Sequence, residues 1–209
     1  MTIKGIIFDL DGVLVHTDEL HYRAWKELAD HLGIHFDRKI NERLRGVSRM
    51  DSLEIILGEN DLSYTEKEVL ADEKNEKYRE LLATLKPSDV TEEVRETLAA
   101  LKEKGIKLAI GSSSKNAKFI LRQIELTNDF DAISDGTNIT RSKPDPEVFL
   151  KAAQFLHLSP EECIVVEDAQ AGISAANAGG FVSAGYGSAA EDPAAKYALK
   201  TLSDLVRLV

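Results

Sequence analysis

Phe8-Asp9-Leu10-Asp11-Gly12-Val13 places two carboxylates two residues apart at the end of an apolar run, residues 3–8. On an extended chain that spacing points both to the same side, where a strand opens into a loop. One carboxylate could attack phosphorus and bind a hard cation, while the other could give and take a proton. A bare Asp-x-Asp-Gly is more often an ordinary acidic turn, so the pair needs company. Gly111-Ser112-Ser113-Ser114-Lys115-Asn116 offers hydroxyls and, ahead of a helical pattern, backbone N–H groups that suit phosphate oxygens, although serines there also act as plain caps. Arg141-Ser142-Lys143-Pro144-Asp145-Pro146 sets a lysine before a proline-started helix, where an ammonium could neutralise a moving phosphate. Glu167-Asp168 closes the apolar run 163–166 with two more carboxylates, either a seat for a hard cation or a simple acidic helix start. All four segments fall at the carboxyl ends of predicted strands or just before a helix, where open α/β sheets bind ligands. Their coincidence outweighs the four ordinary explanations taken separately.

The elements that must position these residues are legible as patterns. Short apolar runs at 3–8, 107–110, 163–166 and 181–184 are too short for helices and read as buried parallel strands. Helical patterns lie between them at 92–104, 116–126, 146–156 and 169–178, the third opening on Asp145 as cap with Pro146 as the first helical residue. This alternation predicts a doubly wound, Rossmann-like parallel sheet. It is interrupted after the first strand by a stretch that reads as helix only, with candidates at 18–32, 37–44, 49–57 and 65–84. The expected organisation is an α/β core from residues 1–15 and 86–209, with a helical-bundle cap, residues 16–85, inserted after the first strand.

Acidic residues outnumber basic ones 36 to 26, a net charge of −10, which argues against nucleic acid as a partner. No apolar run is long enough to span a bilayer, and the opening Met1-Thr2-Ile3-Lys4-Gly5 lacks the pattern of a signal peptide. Cys163 is the only cysteine, so no intrachain disulfide can form. Together these features lead us to expect a cytoplasmic protein, monomeric, that acts on a small molecule.

Phe-Asp-Leu-Asp-Gly-Val, the serine after the next motif strand, Lys-Pro-Asp-Pro and Val-Glu-Asp-Ala-Gln-Ala-Gly-Ile together resemble the haloacid dehalogenase superfamily over nearly the whole chain. The resemblance implies Asp9 as nucleophile, Asp11 as general acid and base, and Ser112 and Lys143 as phosphoryl ligands. It also implies one Mg²⁺ per chain, held by Asp9, Glu167, Asp168 and the backbone carbonyl of Asp11. Thr17-Asp18-Glu19-Leu20-His21-Tyr22-Arg23-Ala24-Trp25, the segment from Glu42 to Leu53, and Ser114-Lys115-Asn116 resemble the superfamily's hexose-phosphate mutases. Such enzymes interconvert β-glucose 1-phosphate and glucose 6-phosphate through glucose 1,6-bisphosphate, a sugar phosphate that must be gripped at both ends. By that resemblance Thr17 sits at the cap hinge, His21 orients Asp11 or the hexose, and Trp25 walls the sugar pocket. Gly46, Val47, Ser48, Arg49, Ser52, Ser114, Lys115 and Asn116 would bind substrate, with the Arg49 fork suited to the second phosphate.

A sugar-phosphate phosphatase of the same superfamily is the nearest alternative. A receiver-type signalling module also carries a phosphorylated aspartate, but it needs no helical insertion and should place that residue after a middle strand. His16 and Thr91-Glu92-Glu93-Val94 depart from the mutase pattern without touching the nucleophile or the acidic pair.

Overall fold

The computed structural model describes residues 2–45 and 47–209. Six strands form one parallel sheet: β1 (Gly5–Phe8), β2 (Lys107–Gly111), β3 (Ala132–Ser134), β4 (Cys163–Glu167), β5 (Val182–Gly185) and β6 (Tyr197–Ala198), in the order β3-β2-β1-β4-β5-β6. The sequence shows why β1 is central. Gly5-Ile6-Ile7-Phe8 is buried at every position, as a strand covered on both faces must be. It pairs with β2 on one side and β4 on the other, Phe8 lying opposite both Ile110 and Val166. Strand order reverses direction at β1, so the crevice beyond its carboxyl end is the topological switch point.

Helices α5 (Glu92–Glu103), α6 (Ala117–Gln123), α7 (Glu147–Leu156), α8 (Gln170–Ala178) and α9 (Leu205–Leu208) belong to the sheet. Two apolar clusters cover its faces, one gathering Phe8, Leu98 and Ile120, the other Ile7, Phe149 and Ala176. Preceding these in the chain, between β1 and β2, are α1 (Asp18–His31), α2 (Arg38–Glu42), α3 (Arg49–Leu57) and α4 (Tyr64–Leu82), all helical as the sequence predicts. Their termini follow from local chemistry: Ser48 accepts from the Asp51 N–H at 3.1 Å to cap α3, and Ser63 with Glu66 forms a reciprocal capping box on α4.

Trp25, Leu28, Phe36, Leu53 and Ile56 build a separate apolar cluster within this cap. The base of the cap is different, because Ala24, Tyr78, Leu81 and Leu82 join the core's own cluster beside Val13 and Leu14. Among the described residues no helix is long and apolar enough to cross a membrane.

Candidate active site

Asp9 follows β1 directly, and its N–H donates to the Val166 carbonyl at 2.9 Å, so the adjacent strand fixes where its side chain begins. Lys143 approaches the Asp9 carboxylate at 2.5 Å and also donates to Glu167, with all three groups buried. Burial alone would lower the Lys143 ammonium. The charges of Asp9 and Glu167 override it and hold this cation above its ordinary range. The other oxygen of Glu167 accepts from the N–H groups of Asp168 and Ala169 at 3.1 and 3.3 Å.

One oxygen from each of Asp9, Glu167 and Asp168 lies within 4.8 Å of the others. Burial, then the negative charge of Asp9, pushes Asp168 up to about 7. Burial is also the main reason that Glu167 stands above the usual carboxylate range. Such crowding of hard oxygen donors fits a divalent cation, which would relieve the mutual repulsion. Two glycines make room for these carboxylates. A Cβ on Gly12, whose φ is +88°, would fall 2.1 Å from Asp168 Oδ2, and one on Gly172 would fall 1.9 Å from the Glu167 carboxyl carbon.

The Asp11 side chain is not part of that trio. Burial first, then the charge of Asp9, raises it to about 7, and the hydroxyl of the fully buried Thr17 donates to it and draws it partly back. On the far side of β1, Ser112 is 2% exposed and begins a stiff relay. Its Oγ accepts from the Ser114 N–H at 3.1 Å, and the Ser114 Oγ accepts from the Asn116 N–H at 3.1 Å.

The cap supplies the opposite wall. The His21 ring stacks on Tyr78 at 3.9 Å between centroids, and its Nδ1 meets Lys74 Nζ at 3.0 Å. Lys74 Nζ lies 4.6 Å over the Trp25 ring and 4.4 Å over the Tyr78 ring. Burial, then Lys74, holds His21 well below its ordinary value, so the imidazole is neutral at pH 7. Its partner is therefore Lys74, whereas the Asp11 carboxylate is held by Thr17. Arg49, the first residue of α3, donates from Nη2 to Asn75 Oδ1 at 2.8 Å and from Nη1 to Asp72 at 3.4 Å.

A single cavity of about 670 Å³ is lined by Asp9, Asp11, His21, Trp25, Val47, Ser48, Arg49, Ser52, Ser112, Ser114, Lys115, Asn116, Lys143, Glu167 and Asp168. Thr17 lies behind Asp11, and Gly46 lies outside the described residues. The distant motifs of the sequence thus meet in one place.

The sequence profile of the haloacid dehalogenase-like hydrolases matches residues 3–180. The chain belongs to this family. Among haloacid dehalogenase-like relatives, it is 44% identical to a β-phosphoglucomutase of Bacillus subtilis over 97% of this chain and 92% of that one. A phosphorylated-carbohydrate phosphatase of Thermotoga maritima is 32% identical over 86% of this chain and 82% of that one. The crystal structure of a β-phosphoglucomutase from Clostridium difficile superposes with a TM-score of 0.92 at 38% identity, covering 98% of this chain and 93% of that one.

Among the cavity residues to which the sequence reading of this haloacid dehalogenase-like chain gives no role are Asp18, Arg45, Lys74 and Asn75. Arg45 Nη2 reaches Asp168 at 2.5 Å and Asp18 at 2.9 Å. One signal was available for Lys74. It stands three residues after Ala71 and four before Tyr78, on the stripe of α4 that is buried, where a charged residue needs a reason. Arg45 and Asn75 carry no comparable mark, since each reads as one more charged or polar residue on a solvated helix or turn.

Proposed function

We propose that the protein is a phosphomutase that interconverts β-D-glucose 1-phosphate and glucose 6-phosphate through an aspartyl-phosphate on Asp9 and a glucose 1,6-bisphosphate intermediate. What supports this reading is that one cavity is lined by two separate sets of cationic and hydrogen-bonding groups, in a chain 44% identical to a β-phosphoglucomutase. Ser112 and Lys143, beside the nucleophile Asp9, form the grip at the core end. Arg49, Ser114, Lys115 and Asn116 form the other, and a simple phosphatase needs only the first.

In the first half-reaction, Asp11 takes the proton from the attacking sugar hydroxyl as the phosphoryl group leaves Asp9, forming the bisphosphate. After the bisphosphate reorients, the Asp9 carboxylate attacks the other phosphorus and Asp11 returns the proton to the departing sugar oxygen. A carboxyl near 7 suits a group that must both accept and donate at neutral pH. Lys143 stays cationic throughout and offsets charge on the phosphoryl oxygens. Asp9, Glu167, Asp168 and the Asp11 carbonyl would hold one Mg²⁺, which would add positive charge beside the transferring group. Trp25 and the cap exclude water that would otherwise hydrolyse the aspartyl-phosphate. Since one chain supplies every wall of the cavity, we propose that the enzyme works as a monomer; the lone buried Cys163 suits the reducing cytoplasm.

The test supplies β-glucose 1-phosphate, Mg²⁺ and a trace of glucose 1,6-bisphosphate and follows glucose 6-phosphate. Stoichiometric formation of glucose 6-phosphate is expected, and release of inorganic phosphate alone would overturn the mutase reading in favour of a sugar-phosphate phosphatase.

A further inference from the structure

Asn75 occupies an unusual junction. Its amide Oδ1 accepts two N–H donors at once, from Arg49 Nη2 at 2.8 Å and from Asn116 Nδ2 at 2.9 Å. The first donor stands on α3 in the cap. The second stands at the head of α6 in the core, held by the Ser112-Ser114-Asn116 relay. A guanidinium and an amide converging on one oxygen is also how a phosphate oxygen is bound. Asp72 is no substitute for this junction, because its contact with Arg49 is 3.4 Å long and its side chain is 78% exposed, where ion pairs contribute little.

We propose that Asn75 is a positioning residue for the phosphate that is not being transferred. Its carboxamide oxygen holds Arg49 and Asn116 in register across the boundary between cap and core, then yields both donors when the anion enters. The role rests on the reading that Arg49 and Asn116 grip that phosphate. A neutral acceptor is required by this arrangement. It must align the donors strongly enough to fix them, yet lose to a dianion, and a carboxylate at the same position would retain the guanidinium and repel the substrate. Asn75 is half-buried on the long helix α4 and is not one of that helix's buried residues, so its replacement is expected to leave the fold intact.

Isothermal titration of the full-length, Mg²⁺-loaded protein with glucose 6-phosphate tests this. Asn75→Ala should weaken binding about tenfold, the order expected for losing one charge-assisted alignment. Asn75→Asp should weaken it further, although it restores an acceptor of the same shape. The decisive measurement is a double-mutant cycle between Arg49→Lys and Asn116→Ala. In the otherwise native chain their effects on Kd should be non-additive by about threefold or more, and on the Asn75→Ala background they should become additive. Binding by Asn75→Ala within twofold of the native protein, coupling that persists without Asn75, or no binding of glucose 6-phosphate by the native protein would each overturn the proposal. A native protein that shows the Asn75-dependent coupling but forms no glucose 6-phosphate from β-glucose 1-phosphate would retain this role and lose the mutase reading. Turnover without the coupling would do the reverse.

Discussion

At the core end of the cavity, carboxylates at the ends of β1 and β4 answer, inside the protein, to a lysine in the loop before α7. Lys143, its side chain 2% exposed, lies between the carboxylates of Asp9 and Glu167. At the cap end, Arg49 stands on a helix, 24% exposed, and its partners are an amide and a carboxylate that faces solvent. The core arrangement is fixed by the backbone ladder of β1 and β4, which cannot shift without unpairing the sheet. The cap arrangement depends on how α3 and α4 lie against each other and against Asn116. Chemistry that is common to many phosphate enzymes suits the rigid end. Recognition of one particular sugar suits the end that a few helix-face substitutions can remodel.

Substitutions that strike the two ends separately should break this contrast or sharpen it. The largest effect is expected from Asp9→Asn, which removes the proposed nucleophile. It should reduce turnover about 10⁴-fold or more for the mutase reaction and for hydrolysis of a small phosphoester alike, measured by initial rates. Gly172→Ala should come next, since the added Cβ drives into the Glu167 carboxyl group. Weakening of Mg²⁺ affinity by about 10- to 100-fold is expected, read by metal titration, with the cap contacts unchanged. Thr17→Val has a smaller and directional consequence. Loss of the hydroxyl that donates to Asp11 removes support from the ionised form, so the Asp11 carboxyl must rise and the pH profile of kcat must move toward higher pH.

The smallest effect belongs to the cap and concerns stability. His21 is held neutral in the folded protein, with its value depressed below 6.5. The unfolded chain therefore binds the proton first, and stability falls as pH drops below that value. Relative to His21→Gln, the native protein should lose about 1 kcal/mol between pH 6.5 and 5.5, measured by denaturant unfolding. The raised carboxyl of Asp11 acts in the opposite sense, but it is present in both proteins and cancels in the difference.

The same contrast explains what could be read without coordinates. β1, β2 and β4 announce themselves because a strand buried on both faces reads as an apolar run, whereas β5, Val-Ser-Ala-Gly, shows more faintly because Ser183 interrupts it. β3 and β6 pass unnoticed. Each is an edge strand with one pairing partner, three and two residues long, and its sequence mixes small and polar residues. Helix α7 begins one residue later than Asp145-Pro146 predicts, because Pro146 itself takes the capping position while the Asp145 carboxylate accepts from the Glu147 N–H at 3.0 Å. At the core end, Asp9, Ser112, Lys143 and Glu167-Asp168 each adjoin a strand end or helix start that the pattern locates. At the cap end, Lys74 meets a partner 53 residues away and Arg45 one 123 residues away. No periodicity within a helix reports a contact of that range.

The greasy seam at the base of the cap, where Tyr78 and Leu82 merge with Val13 and Leu14, sets the mechanics of opening. A lever bolted along one edge turns about that edge. The rim carrying Arg49 meets the core through the amide bridge of Asn75 to Asn116 and the ion pair of Arg45 to Asp168, so a cap turning about the seam must break these two contacts to open. Amide hydrogen exchange should accordingly be slow along the seam and fast at the head of α3.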